Sequence, residues 1–118
     1  MVYEVEKLKN YSIVTVFLNR ATIEDAVSFK QFIMQVIENG EKNIIVDLTH
    51  TMFIDSTFLG VLVASLKMLA KNEGQLRLVV NKDAPSSIFV LTRMDKVFPI
   101  FKNFRDAKRG LARVAKVQ

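Results

Sequence analysis

A chain of 118 residues, half of them apolar and a quarter charged, has the size and composition of one globular domain with its own core. It has no cysteine and one histidine, His50, which excludes a disulfide framework, a thiolate nucleophile and a metal site built from cysteines or several histidines. The formal charge of +5 lies in residues 102–118, which hold six basic and one acidic side chain, whereas residues 1–101 hold eleven of each. No run of about 18 apolar residues and no basic-then-apolar leader is present, so we expect a cytoplasmic protein without a membrane span.

The first half of the chain predicts two strands, a helix and a third strand. Residues 2–8 alternate weakly between apolar and polar side chains and residues 12–18 form a β-branched run, so together they predict a hairpin. Thr22 and Asp25 have the spacing of a capping box, and the helical stripe that follows ends at a glycine. Residues 43–48 form a nearly continuous apolar run, which is typical of a central strand covered on both faces.

The second half predicts three further helices and two short strands. A helix begins at about Ser56, a strand follows over residues 76–80, and Asp83-Ala84-Pro85 opens a third helix that runs to about Met94. Residues 97–101 predict a short strand that is either at a sheet edge or bulged, because it contains a proline, and a last helix follows over about 103–116. The apolar stripe predicted for the helix at Ser56 comprises Leu59, Leu62, Val63, Leu66, Leu69 and Ala70.

The order of elements, β-β-α-β-α-β-α-β-α, predicts an α/β fold. We expect residues 1–118 to form a single domain with a mixed sheet of about five strands packed with about four helices. Functional sites in such sheets lie where strands end and helices begin. The segment 49–55, between the central strand and the helix at Ser56, is one of these ends.

Motifs for catalysis are missing from this chain. The four glycines are far apart, so neither type of phosphate-binding loop is present. Ser56 and His50 could be written with a nearby aspartate as a catalytic triad, but the serine is not in a Gly-x-Ser-x-Gly elbow. A phosphoaspartate receiver needs an acidic pair after its first strand, and residues 18–20 offer none. We therefore expect a protein that is not an enzyme and that has no metal or other cofactor.

The basic face of the last helix and the polar pair Asp55-Ser56 each allow more than one interpretation. The basic face carries no interleaved aromatic residues that could stack on bases, so we expect no direct nucleic-acid binding, whereas an acidic protein or an anionic membrane surface stays open. Either Asp55 or Ser56 could simply cap the helix that begins there.

Two blocks of the sequence resemble the STAS domains of bacterial anti-sigma factor antagonists. In residues 44–60 a strand, a short loop and the segment Asp-Ser-Thr-Phe-Leu-Gly are similar to that family's signature of Asp-Ser-Ser/Thr-x-Leu-Gly at a helix start. Residues 91–101 are similar to the end of the family's third helix and its last strand. The lengths and the order of the elements agree over essentially the whole chain.

The resemblance implies regulation by partner switching. In that family the unphosphorylated antagonist binds an anti-sigma factor with serine kinase activity and thereby releases the sigma factor. The kinase then phosphorylates the serine after the aspartate, here Ser56, the complex dissociates, and a PP2C-type phosphatase resets the antagonist. The resemblance implies that the partner-binding residues are Asp55, Thr57, Phe58, Asn19 and Thr22.

The chain departs from the family's pattern in two places. Phe58 stands where a small residue is usual, and residues 18–23 replace the usual Gly-x-Leu-Asp segment. Phe58 could be an exposed anchor for a different partner or could pack into the core. The alternative function is a STAS scaffold that is not phosphorylated, for example a subunit of a larger regulatory or lipid-transport assembly, in which Ser56 is only a cap.

Overall fold

The computed structural model of the chain describes residues 2–81 and 87–111. This part contains seven strands and four helices. The strands are β1 (Tyr3–Lys7), β2 (Ser12–Val16), β3 (Arg20–Ala21), β4 (Asn43–Leu48), β5 (Phe53–Ile54), β6 (Gln75–Val80) and β7 (Ile100–Phe101). The helices are α1 (Ile23–Glu38), α2 (Ser56–Lys71), α3 (Ser87–Leu91) and α4 (Phe104–Ala107), and Met94–Lys96 forms a 3₁₀ turn.

Five of the strands form one mixed sheet in the spatial order β1-β2-β4-β6-β7. β1 and β2 are antiparallel, as the predicted hairpin requires, and each of the other neighbouring pairs is parallel. The central strand β4 is buried along nearly its whole length, which agrees with its continuous apolar sequence. The predicted α/β fold with about five strands and about four helices is confirmed.

The remaining two strands form a separate parallel pair that the sequence analysis did not predict. β3 pairs with β5 through Arg20 opposite Phe53 and Ala21 opposite Ile54. Strands of two residues are too short to produce a period of two in the sequence, so the prediction treats both segments as connections. The pair joins the loop after β2 to the loop after β4.

One face of the large sheet packs against α1 and α2, where most of the core lies. The side chains of the predicted stripe of α1 are all buried, namely Ala26, Phe29, Ile33, Val36 and Ile37. In α2 the predicted stripe is correct for Leu59, Leu62 and Leu69, which are buried, and Val63 and Leu66 pack partly buried against the core, but Ala70 is exposed. The buried face of α2 is rotated from the predicted one and includes Phe58, Val61 and Ser65, whose hydroxyl donates to the Val61 carbonyl at 2.8 Å.

The other face of the sheet packs against α4 and the turn that follows it. Ala107 and Leu111 are buried there against Ile45 and Val79. The Arg77 guanidinium holds the end of α4 on the sheet, since it donates to the carbonyls of Ala107 at 2.8 Å and Arg109 at 2.7 Å. Partial burial lowers the pKa of Arg77 from its ordinary value.

The C-terminal third differs from the prediction in the lengths of its elements. The predicted start of the third helix, Asp83-Ala84-Pro85, lies outside the described residues, and α3 ends at Leu91 because Arg93 adopts a left-handed conformation with φ 61°. β7 is only two residues long but lies at the sheet edge, as the proline predicted. The predicted last helix over 103–116 is described as far as 111, and within that range its regular turns end at Ala107. Across residues 2–81 and 87–111, no helix is both long and apolar enough to span a membrane.

Candidate functional site

The candidate site lies at the carboxyl ends of β2 and β4, where the chain turns into α1 and α2. The parallel pair β3–β5 holds these two connections together. The Asn19 carbonyl adds to this link because it accepts hydrogen bonds from the N–H groups of Met52 at 2.8 Å and Phe53 at 3.2 Å. The structure therefore brings the predicted partner-binding residues Asn19 and Thr22 next to the segment that contains Ser56.

Asp55 is the residue that caps α2. Its Oδ1 accepts a hydrogen bond from the Phe58 N–H at 2.9 Å, and its own N–H donates to the Ala21 carbonyl at 3.1 Å. Its Oδ2 accepts a second hydrogen bond, at 2.8 Å, from the N–H of Ile23 at the start of α1. Both carboxylate oxygens are thus bonded to backbone groups, and the capping role belongs to Asp55 rather than to Ser56.

Ser56 is the first residue of α2, and its side chain is exposed. Among the described residues its hydroxyl has no hydrogen-bond partner, and the N–H groups of Ser56 and Thr57 have no acceptor either. Such free amides at a helix start, together with the helix dipole, favour a negatively charged group. The Ser56 hydroxyl is therefore accessible, and the position can accommodate a phosphate.

The predicted contact of Phe58 with a partner is wrong. The Phe58 side chain is fully buried and stacks on Phe29, with 4.7 Å between the ring centroids and 22° between the ring planes. Of the two alternatives left by the sequence, the structure selects inward packing. Phe58 is the third residue of α2, and it lies on the same side of the helix as Leu62 and Leu69.

Thr57 and Thr22 are in different environments. Thr57 is exposed beside Ser56, and its hydroxyl has no partner among the described residues. Thr22 is half-buried and caps α1, with its Oγ1 accepting from the Glu24 N–H at 3.3 Å while Asp25 Oδ2 accepts from the Thr22 N–H at 3.0 Å. The predicted capping box with Asp25 is therefore confirmed, and it occupies the Thr22 hydroxyl.

An apolar groove beside Ser56 was missed by the sequence analysis. It has a volume of 420 Å³ and lies between the segment that leads into α2 and the helix α3. The exposed fractions of Met52, Phe53 and Leu91 are 41%, 43% and 80%, and the Arg20 guanidinium lies 4.3 Å from the centre of the Phe53 ring. Met52-Phe53, an apolar pair inside a predicted loop, was the signal that could have found it. The groove is lined by Met52, Phe53, Ile54, Asp55, Ser56, Ile88 and Leu91.

The residues considered for catalysis are not assembled into a triad. Asp47 Oδ1 accepts a hydrogen bond from the Thr49 N–H at 2.9 Å, and the His50 ring packs on Phe17 with 4.9 Å between centroids. Within the described ranges no hydrogen bond joins His50 to Ser56. The part of the chain that the structure describes contains no cluster of three or more His, Cys, Asp or Glu side chains that could hold a metal ion.

Comparison with known proteins identifies the family. A Thermotoga maritima protein that is assigned as an anti-sigma factor antagonist is 28% identical over 92 residues, which are 77% of this chain and 81% of that protein. The crystal structure of an anti-sigma factor antagonist from Mycobacterium paratuberculosis superposes with a TM-score of 0.83 and 26% identity, covering 93% of this chain and 92% of that one. The phosphorylated form of the Bacillus cell fate determinant SpoIIAA, at 14% identity and a TM-score of 0.65, shares the fold over 98% of this chain and 99% of its own. Residues 5–107 match the STAS domain, and the chain therefore belongs to the STAS domain family.

Proposed function

We propose that this chain is an anti-sigma factor antagonist that acts by partner switching at Ser56. The observation that carries the proposal is the exposed hydroxyl of Ser56 at the first residue of α2, which has no hydrogen-bond partner within residues 2–81 and 87–111, while Asp55 provides the cap. A serine that served only as a cap would use its hydroxyl for a first-turn amide. The Thermotoga maritima and Mycobacterium paratuberculosis relatives, at 28% and 26% identity, are described as anti-sigma factor antagonists, which supports the same function here.

In the unphosphorylated state the surface around Ser56 binds an anti-sigma factor with serine kinase activity, and the sigma factor is released. The kinase then transfers the γ-phosphoryl group of ATP to the Ser56 oxygen. The new O–P bond replaces the bond to the leaving ADP, and the hydroxyl proton passes to a base of the kinase. The chemistry belongs to the kinase, and this chain supplies the acceptor. We place this protein in the cytoplasm, together with the anti-sigma factor and the sigma factor.

Phosphorylation changes the charge of the surface without requiring a change of fold. A phosphoserine carries a charge of nearly −2 at neutral pH. The free N–H groups of Ser56 and Thr57 can receive the phosphate, while its charge adds to that of Asp55 beside an apolar groove. A partner would have to desolvate this charge or tolerate repulsion, and each ~1.4 kcal/mol lost weakens the complex tenfold. The partner therefore dissociates, and a PP2C-type phosphatase hydrolyses the phosphate to restore binding.

Phosphate incorporation by the serine-kinase anti-sigma factors of the same organism tests the proposal. Incubated with kinase and ATP, the wild-type chain should gain one phosphate, which peptide mass spectrometry should locate on Ser56. Ser56→Ala should gain none. Thr57→Ala, which removes the neighbouring exposed hydroxyl, is the matched control and should be phosphorylated like the wild type. Phosphate on another residue, or a wild-type chain that no such kinase binds or modifies, would contradict the proposal.

A further inference from the structure

The Asp55 carboxylate joins the starts of two helices that are far apart in the sequence. Oδ1 accepts from the Phe58 N–H in the first turn of α2 at 2.9 Å, and Oδ2 accepts from the N–H of Ile23, the first residue of α1, at 2.8 Å. Hydrogen bonds to an ionised carboxylate are shorter and stronger than those between neutral groups. One side chain therefore fixes the position of the first turn of α1 relative to the first turn of α2.

Exposed side chains lie near the starts of both helices. The exposed fractions of Ile23 and Val27, which are one turn apart on α1, are 64% and 69%. Ser56 and Thr57 are exposed at the start of α2. For a partner that contacts Ile23 and Val27, the Asp55 carboxylate therefore helps to set the distance to Ser56, together with the β3–β5 pair.

We propose that Asp55 is a positioning residue for the phosphorylation of Ser56, and that it acts by holding the first turn of α1 rather than by contacting the kinase. This inference rests on the proposed function of Ser56 as the acceptor. Phosphoryl transfer depends on close alignment of the acceptor oxygen with the phosphorus atom, and small misplacements reduce its rate. A kinase docked on α1 keeps the Ser56 oxygen in line only while the two first turns stay in register. Both carboxylate oxygens bond backbone N–H groups of this chain, one in each helix, which is the arrangement that this role requires.

The variant Ile23→Pro removes the donor of this link and leaves Asp55 in place. Proline is well tolerated at the first position of a helix. The preceding residue, Thr22, has φ −130° and ψ −173°, the extended conformation that a residue before proline favours. The capping box of α1 uses the N–H groups of Thr22 and Glu24, which the substitution leaves intact. Ile23→Ala is the matched control, because it removes the same exposed side chain but retains the N–H group.

The variant Asp55→Ser removes the acceptor by an independent route. Serine is a good N-cap for α2, but it lacks the second oxygen with which Asp55 accepts from the Ile23 N–H. We expect kcat for Ser56 phosphorylation to fall about three- to tenfold in Ile23→Pro relative to Ile23→Ala, and by a similar factor in Asp55→Ser relative to the wild type. The double variant should be no slower than either single variant, because both remove the same hydrogen bond.

The double-mutant comparison separates positioning from a general loss of stability. Rates are measured well below the unfolding temperature of each variant, so that all molecules are folded and a merely structural effect would leave kcat unchanged. Equal kcat values for Ile23→Pro and Ile23→Ala, or additive effects in the double variant, would overturn the inference. If the wild-type chain is phosphorylated at Ser56 but Ile23→Pro and Ile23→Ala have equal kcat values, only the proposed role of Asp55 is refuted. A wild-type chain that is not phosphorylated refutes the proposed function itself.

Discussion

At the scale of single residues, Asp55 and Ser56 divide two roles that a short polar side chain at a helix start can serve. Asp55 provides the cap and Ser56 keeps an unbonded hydroxyl. Asp and Ser are about equally good caps, so the sequence alone could not say which of the two would be engaged. The division makes the serine available for chemistry without loss of the first-turn hydrogen bond.

Two glycines provide a matched pair for a prediction about stability. Gly60 lies in the second turn of α2, is exposed, and has no atom within 4 Å of the place where a Cβ would be. Gly60→Ala should therefore raise the free energy of unfolding by about 1 kcal/mol, since alanine has the higher helix propensity. A Cβ at Gly74 would lie 2.1 Å from the Lys42 carbonyl oxygen, so Gly74→Ala should lower the free energy of unfolding by about 1–3 kcal/mol.

Urea unfolding followed by circular dichroism measures both glycine variants on the same scale. The two substitutions add the same methyl group, so opposite signs would reflect the two environments. A loss of stability in Gly60→Ala would contradict the open surroundings of Gly60. It would also argue that this glycine is needed within the fold.

At the scale of elements, Tyr3 connects the edge strand β1 to α1. Its hydroxyl lies 2.8 Å from Ser28 Oγ and donates to the Asp25 carbonyl at 3.2 Å, while its ring packs against Phe29 with 5.3 Å between centroids. Burial raises the pKa of Tyr3 from its ordinary value of 10.0, the negative charge of Asp25 raises it further, and the hydrogen bond to Ser28 opposes the shift.

The raised pKa predicts that stability falls at high pH. The unfolded chain loses the Tyr3 proton at a lower pH than the folded chain does, so above about pH 10 the folded state holds more protons. The free energy of unfolding should therefore decrease as the pH rises from about 9 to about 11, and this decrease should be shallower in Tyr3→Phe. Urea unfolding of both proteins over this range makes the measurement. Equal slopes would show that Tyr3 is not responsible, because the remaining titrating groups are common to both.

Helix positions were easier to predict than helix faces and ends. The stripe of α1 was correct because its apolar residues recur at an unambiguous helical spacing. In α2 ten of the sixteen residues are apolar and they lie on more than one side of the helix, so the period alone could not show that Phe58 and Val61 would be buried while Ala70 would be exposed. The end of α4 depends on Gly110, with φ +90°, and on Arg77, which bonds the last carbonyls from a strand 30 residues away. Such a distant contact leaves no local signal.

At the scale of the whole molecule, the sequence sufficed for the fold but not for the construction of the candidate site. Alternating strand and helix patterns predicted the mixed sheet, and the end of the central strand predicted the region of Ser56. The β3–β5 pair, the bond from Ile23 to Asp55 and the groove against α3 all join segments from different parts of the chain. Their geometry arises only when the sheet brings these segments together.

The exposed position of Ser56, beside Asp55 and the apolar groove, predicts how a charge at this residue affects stability and partner binding. Ser56→Asp places a negative charge on an exposed side chain that makes no contact needed for folding, so the free energy of unfolding should change by no more than about 0.5–1 kcal/mol. Affinity for the partner that binds the unphosphorylated chain should fall at least tenfold, about 1.4 kcal/mol. The reason is that the added charge must be desolvated beside Asp55 and the apolar groove.

Calorimetric titration with the partner and urea unfolding of the same Ser56→Asp preparation measure the two quantities. Thr57→Asp is the control, since it adds the same charge one residue further along the exposed first turn of α2. A switch centred on Ser56 requires a larger loss of affinity in Ser56→Asp than in Thr57→Asp. A scaffold whose partner binds elsewhere on the chain would bind that partner almost unchanged in the Ser56→Asp variant. In that case Ser56 would be an exposed residue without a regulatory role, and the free hydroxyl would need another explanation.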